Sequence, residues 1–327
     1  MTKTDNYLKN SRALYVIKFF AILSVVFAHC SYDNTLLAHS ISGLLGSLGV
    51  PIFLISSGIF FNHKENAKVF WMKKFKGLIV PWLLFGVLTY LLTVMLGTSF
   101  ETLNMFRWMI GHGTWLYFVT ILLFYYVFFR AIRWEGIHYV AIALWVLSNV
   151  LDVFEVNIIS NVIGQYLNPF SRIGYFSMGV IAKKAGVLEF KMPKLWIKLA
   201  VSAGTLAIGV ATMVVEDVAF AAYFAKMVFS LCATATLFFW SQSLSECKLL
   251  QNIGKQTYLI YFLHMQLGIG AVNAVVRVLP LPAAMDWVLL FVKPVAILAL
   301  IYIGIVILNA VVTKLGLSKY KWIIGMK

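Results

Sequence analysis

The run "IKFFAILSVVFAHCSYDNT", residues 17–35, is apolar for most of its length and then carries a histidine and, four residues later, an aspartate. What those two groups can do depends on the solvent they meet, and the rest of the chain settles that. Its 327 residues are 61% hydrophobic and 12% charged, with a mean hydropathy of +0.88, whereas a soluble domain carries roughly 25% charge. This is the composition of an integral membrane protein. The net charge of +15 does not point to nucleic acid, because the cations sit between hydrophobic blocks instead of clustering on a soluble surface.

Apolar stretches near 13–35, 41–62, 78–97, 108–129, 137–154, 165–182, 195–214, 218–240, 257–278 and 287–313 predict an all-α polytopic transmembrane helix bundle of about ten spans. An even number of crossings puts both termini on one side. The segments sharing that side hold most of the lysine, including Lys64, Lys68, Lys73, Lys74 and Lys76, then Lys183 and Lys184, and Lys314 to Lys327 at the end. The opposite loops are short and acidic, with Glu101, Glu155, Glu216, Asp217 and Asp286. Positive-inside bias therefore places both termini in the cytoplasm. The first apolar run is too long for a signal-peptide core and no small-residue cleavage site follows it, so residues 1–40 are expected in the mature protein. Cys30, Cys232 and Cys247 have neither disulfide-framework nor metal-ligand spacing, and no metal is expected. Without an internal repeat or a soluble insertion, residues 1–327 read as a single integral-membrane domain.

An ionisable group in hydrocarbon is costly unless paired or hydrated, so the polar residues inside spans carry the functional information. At about 100° per residue, Lys18, Ile22, Val25, His29 and Asp33 fall on one stripe of the first helix. Asp33 at i+4 is placed to accept from one imidazole nitrogen of His29 and leave the other as a base. A core histidine bonded to a backbone carbonyl, with Asp33 a loop charge, is the alternative. Arg172 falls within the sixth span and suits an acidic acceptor, an oxyanion or a structural carboxylate such as Asp152. Trp115 belongs to an aromatic cluster that reads either as an interfacial belt or as a face for sugar rings. Tyr258, Tyr261 and His264 recur every three residues, as substrate-orienting groups or as core packing.

Four pieces in order resemble the acyltransferase-3 family of integral-membrane acyltransferases. "KFFAILSVVFAH" has a basic residue, Lys18, eleven positions before a histidine, His29, although the family more often has arginine first. "GVPIFLISSGIFF" is similar to the family's G-V-x-x-F-F-x-x-S-G pattern with Phe53, Ser57 and Gly58 in register, but Pro51 stands where an acid is common. "TWLYFVTILLFYY" from Thr114 resembles a tryptophan-led helix, and "TYLIYFLH" from Thr257 a late tyrosine-rich one. The resemblance implies transfer of an acyl group, usually acetyl, from cytoplasmic acetyl-coenzyme A to a hydroxyl of a cell-envelope glycan or lipid-linked saccharide, in a multi-pass protein of the bacterial cytoplasmic membrane. It implies His29 as the catalytic base, to which the i+4 spacing adds Asp33 as a second expected catalytic group. Lys18, Lys73 and Lys76 would face coenzyme A, the last two keeping the family's R-x-x-R spacing with lysine. Arg172, Ser57, Trp115, Tyr258 and Tyr261 would face the acceptor. The basic segment 63–77 also reads as a positive-inside loop on anionic lipid headgroups. Partners expected are acyl-coenzyme A, the saccharide and membrane lipids, with no nucleic acid; a homo-oligomer is left open. The competing class is a proton-coupled transporter or flippase for a glycan or amphipathic solute, using His29 and Asp33 as the coupling pair. The missing internal repeat and the basic segment count against it.

Overall fold

The computed structural model describes residues 3–30, 36–215, 218–278 and 285–326. Among these the chain is helical throughout, with no strand, as expected where no water is present to satisfy an open sheet edge. In chain order the helices are α1 Lys3–His29, α2 Leu36–Gly46, α3 Gly49–Phe60, α4 Ala67–Lys74, α5 Val80–Met95, α6 Thr102–Ile110, α7 Tyr117–Ala131, α8 Ile137–Val153 and α9 Ile158–Ile163. They continue with α10 Ile173–Lys184, α11 Leu195–Val214, α12 Ala219–Ser243, α13 Lys248–Lys255, α14 Thr257–Leu263, α15 Gly270–Val278 and α16 Asp286–Lys314. Wider π turns, Phe75–Ile79 and His264–Ile269, join α4 to α5 and α14 to α15.

Seven helices or merged helices among the described residues are long and apolar enough to cross a membrane. Each of the expected spans contains a helix, but three of them are short. α7 and α8 have 15 and 17 residues and α10 only 12, so at 1.5 Å per residue α10 reaches about 18 Å. The expected span at 108–129 is broken because Gly111 and Gly113 adopt φ of 91° and 70°, a left-handed conformation that ends α6. The expected span at 165–182 becomes helical only at Ile173. Ahead of it, the Asn168 side chain accepts from Phe170 N at 3.0 Å and caps a 3₁₀ turn, Pro169–Ser171. The segment carrying Lys68, Lys73, Lys74 and Lys76, expected between spans, is helical and continuous with the third span.

The first helix also differs from its expected bounds. It starts earlier and stops at His29, with Cys30 N closing the last turn onto Val26 O at 3.1 Å and Phe27 O at 3.2 Å. Asp33 lies outside the described residues.

The chain divides into two compact units, residues 1–56 with 182–306 and residues 57–181 with 307–327. In the first, α1 is wrapped by α2, α12, α13, α14 and the 3₁₀ turn Val187–Glu189. Ala13, Leu14, Val16, Ile17, Ala21, Ile22, Val25 and Val26 are all buried, whereas Lys18, Phe19, Phe20 and Leu23 are only half-buried. In the second, Phe61, Phe70, Tyr125, Tyr126, Phe129 and Phe176 form an aromatic core.

Close approach of α2 fixes the end of α1. A Cβ on Gly46 would stand 2.6 Å from Ala28 Cα, against backbone that cannot yield. Gly46→Val is expected to destabilise this packing by roughly 1–3 kcal/mol. A lowered melting temperature in detergent, compared with Gly43→Val, where a Cβ would meet nothing within 4 Å, measures it.

Candidate functional site

His29 is the last residue of α1, and the turn that bears it is fastened to α2 by two side-chain bonds. Ser24 Oγ donates to Leu45 O at 2.5 Å and Ser42 Oγ donates to Phe27 O at 3.0 Å. Phe27 adds an edge-on contact with Phe291 of α16, ring centroids 6.3 Å apart. The His29 ring, half-buried, lies beside that of His264, with centroids 5.2 Å apart and planes inclined at 47°.

His264 is fully buried and opens the π turn after α14. Its Nδ1 lies 2.5 Å from the Tyr261 carbonyl oxygen. A carbonyl oxygen can only accept, so Nδ1 carries the hydrogen and Nε2 the lone pair. Tyr261, expected to present its hydroxyl to substrate, contributes its backbone here, and its buried ring lies 5.7 Å from that of His264. Tyr258 is half-buried on the same helix. Lys18 is half-buried about three turns before His29, with its ammonium 5.7 Å above the Tyr15 ring. Lys255 covers the same ring at 5.8 Å.

The other expected residues belong to the second unit. Lys73 pairs with Glu65. Lys76 stands 5.6 Å over the Trp322 ring, so the two lysines point to different partners although three residues apart. Between them Lys74 lies 3.9 Å over the Tyr126 ring and 5.2 Å over Phe70. Ser57 is buried and hydrogen-bonded to Tyr126. Arg130 gathers the segment before α4, donating to Asn62 O at 3.3 Å, to His63 O at 2.5 Å and to Glu65 O. Its guanidinium lies 5.2 Å over Phe70.

Arg172 sits over two phenol rings, Tyr117 at 5.5 Å and Tyr166 at 5.3 Å, and donates to Gln165 O at 3.3 Å. Asp152, its suggested carboxylate, instead accepts from Ser171 Oγ at 3.0 Å. That bond is part of a buried net in which Asn168 Nδ2 donates to Ser148 Oγ and Ser160 Oγ at 3.1 and 2.9 Å, and Asn157 Nδ2 to Ser148 O at 3.0 Å. Trp115 is buried edge-on behind Trp108 at 5.6 Å. Trp108, with Tyr90, Asn104, Arg107 and His112, lines an open cleft of about 330 Å³.

The acyltransferase-3 model, described as an acyltransferase domain, matches residues 12–314. The chain belongs to the acyltransferase-3 family. No curated protein and no solved structure matches it. The matched range of this acyltransferase-3 protein includes His29, His264, the basic segment and Arg172 alike. It is a multi-pass membrane protein by its family and by its apolar helices. No group of three or more potential metal ligands occurs among the described residues.

Two features escaped the sequence reading. The pairing of His264 with His29 joins residues from opposite ends of the chain, and the Y-x-x-Y-x-x-H spacing on one helix face was its only trace. Arg130 gave no signal at all, because a cation at the end of an apolar helix is ordinary. Arg130→Leu removes the donors that hold three carbonyls of residues 62–65. Limited proteolysis of the reconstituted protein should then cut this segment several-fold faster, while a Lys68→Leu control, changing a cation on α4, should be cut at the wild-type rate.

Proposed function

We propose that this acyltransferase-3 protein moves a short acyl group, acetyl in the first instance, from cytoplasmic acyl-coenzyme A to a hydroxyl of a cell-envelope glycan or lipid-linked saccharide at the bacterial cytoplasmic membrane. His29 is the general base. The observation that carries this reading is an imidazole held at the end of a closely packed helix, in a chain of this family. A thioester is already electrophilic, so what the protein must supply is chiefly a base and an aligned acceptor. His29 takes the hydroxyl proton as the oxygen attacks the thioester carbonyl. The carbon–sulfur bond then breaks, and the imidazolium returns the proton to the departing coenzyme A sulfur. Acyl ester and free thiol result, with no redox change.

Positive-inside bias puts both termini and the basic segment on the cytoplasmic face, where coenzyme A is found. The cofactor's phosphates would meet Lys73 and Lys76 there, and Lys18 lies on α1 of the first unit. Lys73 is 66% exposed in its pair with Glu65. Exposed pairs of this kind are worth roughly 0–1 kcal/mol, so a phosphate can displace the carboxylate. Arg172 on its two phenol rings suits an acidic or hydroxyl-rich acceptor.

His29→Ala is expected to lower acetyl transfer at least about a hundredfold, the usual scale for a general base, with unchanged expression and melting temperature. Near-normal transfer by the purified variant would sink the assignment. For the cofactor, Lys73→Gln with Lys76→Gln should raise the KM for acetyl-coenzyme A several-fold, and Glu65→Gln should lower it by releasing Lys73. The effects should shrink as salt rises through the screening range. Equal KM values for all three proteins at low salt would place the phosphates elsewhere, and no coenzyme A binding by any of them would favour the transporter.

A further inference from the structure

We propose that His264 is the positioning residue for His29, its Nε2 accepting a hydrogen bond from one imidazole nitrogen of His29 so that the other presents its lone pair to the acceptor hydroxyl. The assignment rests on the reading of His29 as the base. It gives to a histidine the part that chain spacing had suggested for Asp33.

Geometry carries the argument. The bond is not formed in the structure, but the ring centres are 5.2 Å apart and an imidazole nitrogen lies about 1.1 Å from its ring centre, so turning the rings until their nitrogens face each other closes the gap to about 3 Å, the length of a hydrogen bond. Tilted planes, at 47°, suit an edge-to-edge N–H···N bond and not a stack. The polarity of that bond is settled by what lies behind it. The Tyr261 carbonyl at 2.5 Å requires hydrogen on Nδ1 of His264, so its Nε2 can act only as acceptor while the ring is neutral.

His264 is also held more firmly than His29. It is fully buried and begins a π turn, a widened helical turn that re-aims side chains and recurs at functional positions. The same turn is braced by α16, since a Cβ on Gly268 would stand 2.6 Å from Ile301 and 2.7 Å from Ile297. A half-buried ring at a helix end thus lies beside a fully buried one bonded to the Tyr261 carbonyl. Chemically, a base that pivots about χ1 and χ2 and exchanges tautomers spends part of its time with N–H toward the substrate, where it cannot accept a proton. One fixed acceptor removes that state.

Two substitutions divide the ring's functions. In His264→Asn the side-chain amide can still donate to Tyr261 O, but no atom occupies the Nε2 position. In His264→Gln the longer side chain can place an acceptor oxygen there. The full chain in lipid nanodiscs is examined in two ways: acetyl-coenzyme A cleavage, with water and a membrane glycolipid extract as acceptors, and the ¹⁵N resonances of labelled histidine, with His29 assigned from His29→Ala.

The expected result is one neutral tautomer of His29 in wild type and a mixture in His264→Asn. Turnover of His264→Asn falls roughly 10- to 100-fold, the range for groups that orient a functional ligand. The KM for acetyl-coenzyme A stays within twofold, and His264→Gln recovers much of the loss in both readouts. Unchanged His29 resonances in His264→Asn overturn the inference. So does the reverse order, with Asn active and Gln inactive, which would make His264 only a cap for the Tyr261 carbonyl. Wild type that cleaves no acetyl-coenzyme A defeats the acyltransferase reading instead, while the resonances still decide whether the two rings are coupled.

Discussion

A helix packed deep in a bundle must satisfy its polar groups through its neighbours, and α1, with Ala13, Val16, Ala21, Ile22 and Val26 at 0% exposed, is such a helix. In water its packed aliphatic side chains would supply most of the stability at about 1.5–3 kcal/mol each. In a membrane that term largely disappears, because lipid tails are as apolar as the residues they replace. Register along α1 is then left to close packing and to a few polar contacts of roughly 0.6–2 kcal/mol each. At the start of the buried stretch, Asn10 is 1% exposed. Its amide donates to Leu188 O at 3.0 Å and Phe190 O at 2.9 Å and its carbonyl accepts from Gln242 at 2.7 Å. At the far end Ser24 and Ser42 bond to and from α2. Between these anchors α1 cannot slide by a residue, and the height and azimuth of His29 follow.

The second unit solves the same problem with aromatic faces. Lys74 and Arg130 sit over Phe70 and Tyr126, where ring quadrupoles replace part of the hydration their charges lose. Carbonyls outside regular helix are taken up by Arg130 or by the asparagine and serine net around Asn168. That net lets residues 154–172 run as short irregular turns without exposing bare peptide groups to hydrocarbon, a condition that lipid-facing backbone must meet.

Composition made the helical class legible, because long apolar stretches have one low-energy answer in a bilayer. The ends of α11, α8 and α16 fall within a residue or so of their expected bounds, each bounded by charged or turn-forming residues. Breaks inside apolar sequence were invisible. Gly111 and Gly113 are common in membrane helices, and only their positive φ separates α6 from α7. The break before Ile173 depends on Asn168 finding Ser148 and Ser160, partners that no local pattern specifies. His29 stood out because its cost in hydrocarbon is a property of the residue itself. His264 has the same cost, but its meaning depends on which ring it faces, and that is decided by the packing of α14 against α1.

A histidine partner has a different consequence from a carboxylate one. An aspartate beside His29 would make the imidazole a stronger base and would stabilise the imidazolium, yet it would also bring a second ionisable group that must be paid for in a low-dielectric site. A neutral histidine in the proposed positioning role would orient the ring without adding charge. For an amide substrate a weak base would be a serious deficit. A thioester needs less help, because its carbonyl is activated and the thiolate leaves readily, so a correctly aimed weak base suffices. In the proposed reaction the positive charge that would build on His29 as it takes the proton is balanced by the tetrahedral oxyanion forming beside it. On that proposal the pair of charges would exist only while donor and acceptor are both in place, and a neutral pair of rings would spare the bilayer a standing charge between turnovers.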